Sequence, residues 1–215
     1  MNSPALRWKT GLGWLVFSGG HTASSPIRAE ALARAKAAGH VAYISFAGDE
    51  GDALIDDMED LGAPSGFLID LMDPDGAQIT EDLSRASVIV IESGIDLDPM
   101  LNGFPQPAID GLEQALNNGC VILVEGVGIN LFGRWIMTDG GDLVDGLDWV
   151  ENGFLEPGNP GEQASYAIQS ILSQLPQAIA IAINPGSALA LGYGSNVQVW
   201  GQQEVTITLG SNYQT

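Results

Sequence analysis

The stretch Cys120–Gly133, CVILVEGVGINLFG, reads as a buried strand, a sharp glycine-rich turn and then a helix. That layout matches a nucleophile elbow, in which a strained strand-to-helix turn lifts one side chain above the sheet edge. Laid on the pattern G-x-nucleophile-x-G, Val124-Glu125-Gly126-Val127-Gly128 places Gly126 at the nucleophile position. Glycine has no side chain and attacks nothing. The layout is that of a hydrolase elbow without its reactive atom.

The segments around this stretch alternate. Trp14–Phe17, Val41–Phe46, Gly66–Leu71, Val88–Ile91 and Val121–Val124 are apolar runs of strand length. Between them lie helical segments at Pro26–Ala38, Asp49–Leu61, Ile79–Ala86 and Pro107–Asn118. Ser24 or Ser25 caps the first of these, and acids open the second in keeping with its dipole. Strands buried on both faces read as unbroken apolar runs, so the alternation predicts a parallel sheet between two helical layers. Right-handed crossovers then gather every strand-to-helix loop on one sheet edge. That edge collects Ser18–Ser24, Phe46–Asp49, Ser93–Asp98 and Glu125–Gly128. Toward the C-terminus, Ala178–Ile183, Ala188–Leu191, Val197–Trp200 and Val205–Leu209 are short strands separated by turn signals, expected to close the same sheet as a mixed edge. No linker, charge block or repeat divides the chain, so residues 1–215 are expected to form one three-layer α/β/α domain of flavodoxin-like arrangement.

Composition narrows the function. Acids number 27 against 7 bases, a formal charge of −20, with 45% hydrophobic residues. Such a field repels phosphate backbones and anionic headgroups, which argues against nucleic acid and membrane surfaces as partners. The single cysteine, Cys120, excludes an intrachain disulfide or a cysteine-based zinc cluster, and its place at the start of an apolar strand suits a structural thiol. MNSPALRWKTGLG at the N-terminus holds no continuous apolar h-region, and the longest apolar runs are too short to span a bilayer. A cytoplasmic protein is the expectation.

The order of segments resembles one family. A strand followed by Gly19-Gly20, an elbow after the fifth strand, the segment GLDWVENGFLEPG, then AIAINPGSALAL and a closing hairpin are similar to serine peptidases of the cyanophycinase and dipeptidase E type. These belong to the class I glutamine amidotransferase-like superfamily. The resemblance runs from about Trp14 to Leu209 and implies a peptidase-type crevice, but the catalytic signature departs from it. Val124–Ile129 stands where the family reads approximately G-T-S-A-G-A, with Gly126 at the serine. Glu92-Ser93-Gly94-Ile95-Asp96 replaces the usual glycine pair and following Asp or Asn after the fourth strand. Glu156-Pro157-Gly158-Asn159 matches the segment like D-x-H-F, with Gly158 at the histidine. Loss of nucleophile or base typically costs on the order of a millionfold in turnover. The resemblance therefore implies a non-catalytic relative that keeps a crevice for a small molecule or a peptide end.

The crevice residues read from the elbow and its neighbouring loops are Gly19, Gly20, His21, Ser93, Gly94, Glu125, Gly126, Val127 and Gly128. No metal and no cofactor is expected. The alternative is an active hydrolase with a relocated nucleophile: Ser18, Ser45 or Ser93 presented from the same edge, with His21 as base. His21 also reads as a polar loop residue helping to cap the first helix, and His40 as a helix-end residue near terminal carbonyls. Glu125 either caps the helix after the elbow or, with Glu92, Asp49 and Asp96, forms a carboxylate cluster for a hard cation. Asp70–Gly76 resembles a calcium loop only loosely, since Leu71 falls at the first ligand position, and reads as a solvated turn. Trp135, Trp149 and Phe154 read as packing residues. Self-association as a homodimer is a further expectation, with Trp135 and Trp149 supplying the patch.

Overall fold

Apolar strands alternate with one-faced helices through the first 125 residues, and the chain folds accordingly. The structure, a computed structural model, describes residues 5–20, 26–35, 39–46, 51–92, 94, 97–138, 140–158, 162–201 and 205–213. In order these form β1 (Trp14–Ser18), α1 (Ile27–Arg34), β2 (Val41–Ser45), α2 (Gly51–Asp60), β3 (Gly66–Leu68), α3 (Gly76–Ser84), β4 (Val88–Glu92), α4 (Asp98–Gly103), α5 (Gln106–Asn118) and β5 (Val121–Glu125). A 3-10 helix, Gly126–Phe132, follows. Then come β6 (Trp135–Met137), β7 (Leu143–Asp145), β8 (Gly153–Pro157), α6 (Glu162–Gln174), β9 (Ile179–Ile183), β10 (Ser187–Gly192), β11 (Asn196–Gly201) and β12 (Val205–Leu209).

The main sheet has seven strands in the order β11-β10-β1-β5-β4-β2-β3. Its five central and right-hand members, β1, β5, β4, β2 and β3, run parallel, while β10 and β11 add antiparallel beside β1. β4 and β5 are buried on both faces, as their sequences VIVIE and VILVE require. One face packs Val16, Tyr43, Val90 and Leu123 against Ile27 and Ala31 of α1 and Leu54 and Met58 of α2. The other packs Phe17, Ile89, Ile91 and Ile122 against Leu83 of α3 and Leu112, Ala115 and Leu116 of α5. Each of the larger aliphatic and phenylalanine side chains among these contributes roughly 1.5–3 kcal/mol on burial. α5 ends where Gly119 turns left-handed, at φ 98°, and returns its N–H to the Ala115 and Leu116 carbonyls.

Local chemistry accounts for several boundaries. Asp75 caps α3 by accepting from the N–H groups of Ala77 and Gln78. Asp70 and Asp73 likewise accept from backbone N–H groups two residues on. The calcium-like segment is thus a turn leading into a helix cap. Ser24, Ser25 and Asp49 lie outside the described residues. α1 begins after Pro26, whose fixed φ suits a helix start.

The C-terminal strands divide, where the sequence led us to expect one sheet edge. Only β10 and β11 extend the main sheet. β9 pairs with β12 on one side and, parallel, with β8 on the other, in a separate three-stranded sheet. Ile179, Ile181 and Ile183 of β9 turn toward the main sheet's Leu189 and Leu191, while Ala178, Ala180 and Ala182 turn toward Ile168 and Ile171 of α6. This second sheet and α6 take the outer layers at that end of the molecule. α4 and α6 are two helices the alternation did not reveal, and the elbow opens into a 3-10 helix and the β6–β7 ribbon instead of an α-helix. Trp149 is fully buried and stacks edge-on against Phe132. Trp135 is half-buried beside the α6-facing core, and Phe154 lies within that core. Both tryptophans pack against the core, and Trp149, at 1% exposure, is not available to a dimer patch.

Among the described residues, no helix is long and apolar enough to cross a membrane.

Candidate functional site

The last residues of four neighbouring parallel strands stand in register at the C-terminal edge: Ser18 of β1 opposite Glu125 of β5, Glu125 opposite Glu92 of β4, and Glu92 opposite Ser45 of β2. Each lies two positions beyond a residue buried on the α1 and α2 face (Val16, Leu123, Val90 and Tyr43), so the period of two turns this polar row to that face. Arg28, in the first turn of α1, closes over it. Its Nε lies 3.2 Å from both Glu125 carboxylate oxygens, and its Nη2 lies 2.6 Å from Glu125 Oε2. Nη1 donates to Asp57 of α2 at 2.6 Å, and Glu92 Oε1 lies 3.5 Å from Nη2. Ser45 Oγ donates to Glu92 Oε2 at 3.4 Å.

The Arg28 and Glu125 side chains are each only 4% exposed. Burial alone would loosen the guanidinium's proton, but the hydrogen bonds and charges of Glu125 and Asp57 outweigh it and hold Arg28 above its ordinary pKa. The carboxylate cluster foreseen for a hard cation is thus built around an internal cation. Glu125 and Glu92 meet at the Arg28 guanidinium, while Asp49 and Asp96 lie outside the described residues. Among the described residues no three His, Cys, Asp or Glu side chains assemble as a metal site. Nothing in the sequence flagged Arg28 beyond its place on the helix following β1.

Beside this row lies a crevice of about 350 Å³ lined by Gly19, Gly20, Glu92, Gly94, Glu125, Gly126, Val127, Pro157 and Gly158. The elbow is a true turn. Glu125 ends β5 in extended conformation, at φ −115° and ψ 145°, and Gly126 follows at φ 66° as the chain enters the 3-10 helix. A left-handed φ is free of strain only for glycine. Gly158, at the end of β8, has φ 97°, and a Cβ built there would meet nothing within 4 Å. Among the described residues no group fills the space beside that position, although its φ strains any residue other than glycine.

Of the residues read from the sequence, Gly19, Gly20, Gly94, Glu125, Gly126 and Val127 line the crevice, and Gly158 joins them across it. Gly128 is buried and is not among the lining residues. Ser18 is fully buried beneath the rim and its Oγ accepts from the Gly20 N–H at 3.3 Å. Ser45 is engaged with Glu92, and neither serine lines the crevice. His21 and Ser93 lie outside the described residues. His40 sits before β2 on the opposite sheet edge, bonded to the Asp82 carbonyl in the last turn of α3 and packed on Phe67. Cys120 is buried, and burial pushes its thiol pKa up.

Comparison with solved structures agrees with this geometry. A peptidase from an acI-B1 Actinobacterium superposes with a TM-score of 0.72 at 19% identity, over 94% of this chain and 93% of that one. A candidate peptidase E protein from Listeria monocytogenes EGD-e gives 0.64 at 15% identity, over 89% and 99%. This chain has the peptidase E-like fold. Identities this low establish the fold alone, since one fold hosts many functions. No protein-family model matches the sequence, and no curated protein matches it.

Two substitutions test the crevice wall and the strand that leads to it. Gly19 follows β1 against the end of β9, and a Cβ there would stand 2.1 Å from the Ile183 carbonyl oxygen and 2.5 Å from that of Asn184. Backbone atoms cannot swing aside, so Gly19→Ala is expected to cost about 1–3 kcal/mol, read as a lower urea midpoint. Glu156, two residues before Gly158, has a buried Oε2 without a hydrogen-bond partner among the described residues, and desolvation raises its pKa above the ordinary 4.5. A carboxyl with a raised folded pKa holds its proton more tightly when folded. Its ionisation therefore destabilises the fold as pH climbs from that ordinary value through the folded one. Glu156→Gln is expected to raise the melting temperature at neutral pH, the gain disappearing below the ordinary glutamate pKa. Melts across pH check this.

Proposed function

We propose that this chain is a non-catalytic relative of peptidase E-type peptidases, with a crevice that holds a small molecule or a peptide end without cleaving it. The observation that carries this reading is the pairing of Gly126 and Gly158 on the walls of one crevice. These are the two positions where the family resemblance places nucleophile and base. The other described lining side chains are Glu92 and Glu125, both engaged with Arg28, together with Val127 and Pro157. None of these is an activated nucleophile of the Ser, Thr, Cys or Lys kind. The backbone of the elbow, entering a helix at Gly126, is suited to meeting a carboxylate.

The test is direct. Purified protein is incubated with β-aspartyl and N-terminal aspartyl peptides and with a serine-reactive phosphonate. Background turnover and no site-specific labelling are expected. Robust turnover abolished by Ser18→Ala, Ser45→Ala or Ser93→Ala would instead establish a relocated nucleophile. A ligand-screened crystal structure would then identify what the crevice holds.

A further inference from the structure

The two sheets end side by side in unprotected strands. Among the described residues, β11 pairs only with β10, and β12 only with β9. Their sequences, NVQVWG and VTITL, contain no charged residue and no proline, the devices that ordinarily guard a sheet edge. The register shows what these strands carry. Val197 and Val199 lie opposite Leu191 and Leu189, while Ile207 and Leu209 lie opposite Ile181 and Ile179. All four partners belong to the core between the two sheets. Residues opposite one another share a face, so these four apolar side chains continue that core outward. They are nonetheless 44%, 54%, 42% and 38% exposed, respectively. The interlayer core runs out to solvent at this end.

Charge identifies what can cover it. Residues 163–215 carry one formal charge, Glu204; every lysine and arginine and the other 26 acids lie in residues 1–162. The opposite edge of the main sheet, at β3, also exposes apolar Phe67, Leu68 and Met72. That edge is bordered by the five acids of α2 and by Asp70, Asp73 and Asp75. A basic partner would be drawn to the β3 edge. A partner that itself carries −20 is repelled from most of this surface and can approach closely only where net charge is low, and beside β11 the charged neighbours Arg34, over the Trp200 ring, and Glu30 pair with each other.

We infer that the β11–β12 edge is a self-association surface, seating a second copy of this chain about a two-fold axis. β11 pairs antiparallel with its own copy, the arrangement that two-fold symmetry gives identical edge strands. Val197, Val199, Ile207 and Leu209 of each copy close the seam. The main sheet then runs on from one copy into the other. Two like-charged bodies are held together by an apolar contact, so the dimer tightens as salt screens the repulsion.

Sedimentation velocity on the full chain tests this at about 100 µM protein, since the dimer fraction follows concentration. A dimer is expected, with a dissociation constant that falls between low salt and about 0.5 M salt. Val199→Lys, at a half-exposed position, is expected to weaken dimerisation by about a hundredfold while leaving the circular dichroism melt in place, because like charges then meet across the seam. Met72→Lys, at the β3 edge, is expected to leave the dimer unchanged. Amide exchange of the unmodified chain gives an independent reading, with protection of β11 rising with protein concentration. A monomer at every concentration and salt, or a dimer that Val199→Lys does not disturb, would overturn the inference. So would β11 protection that ignores concentration.

Discussion

Arg28→Ala is expected to lower the unfolding free energy by about 3–5 kcal/mol, the usual cost of removing one partner from a buried ion pair. The loss arises less from the missing bonds than from what remains. Glu125 would stay buried at the centre of the sheet edge without its guanidinium, and Glu92 would lose its ion pair with Arg28. Asp57, at 41% exposure, returns to water and contributes little. Folded domains commonly hold only about 5–15 kcal/mol in reserve, so the variant is expected to unfold far earlier in urea. A double-mutant cycle separates pairing from packing. Combined with Glu125→Gln, Arg28→Met is expected to be less damaging than the two single costs added together, by more than about 1 kcal/mol. Strict additivity would mean that Arg28 and Glu125 are not coupled. The same network fixes where the Glu125 backbone ends, and hence where Gly126 turns, so crevice ligands are expected to bind more weakly in the Arg28 variants that do fold.

Gly126→Ser is expected to restore no useful hydrolysis. The new hydroxyl would stand at the tip of the elbow at a φ of 66°, the left-handed region where an L side chain is strained. Gly158 offers no base across the crevice, and a serine without a base falls about a millionfold short of a working triad. The phosphonate probe and aspartyl peptides should therefore report background for this variant. Gly126→Ser with Gly158→His is the informative companion, because a Cβ at Gly158 meets nothing within 4 Å, although the φ of 97° strains an L side chain there as well. Turnover by the double variant but not by the single one would show that the two glycines stand at the positions of nucleophile and base. Strong activity from Gly126→Ser alone would point to another base near the elbow and would sink the non-catalytic reading.

The parts of this protein legible in its sequence are those set by near neighbours along the chain. Fully apolar runs such as Val88–Ile91 and Val121–Val124 read as doubly buried strands because no polar alternation interrupts them. The turn at Gly126 reads as an elbow because an apolar strand runs straight into Gly126-Val127-Gly128, whereas Gly158 is matched to a base position only through the family resemblance. α6 was also within reach: Ile168, Ile171, Leu172 and Leu175 recur at helical spacing, although a Ser- and Gln-rich face dilutes the signal.

What the tertiary structure alone decided involves partners far apart in sequence. Arg28 and Glu125 are separated by 97 residues, and nothing near either one announces the other. The row Ser18, Glu125, Glu92 and Ser45 exists only because the strand order brings β5 and β4 between β1 and β2. The sequences of β9 and β10, IAIAI and SALALG, are both short and apolar, yet one builds the second sheet and the other extends the first. Period and composition specify a strand's faces but not its neighbour. Neighbours are chosen by which faces are left to bury, and that is settled only when the whole chain has packed.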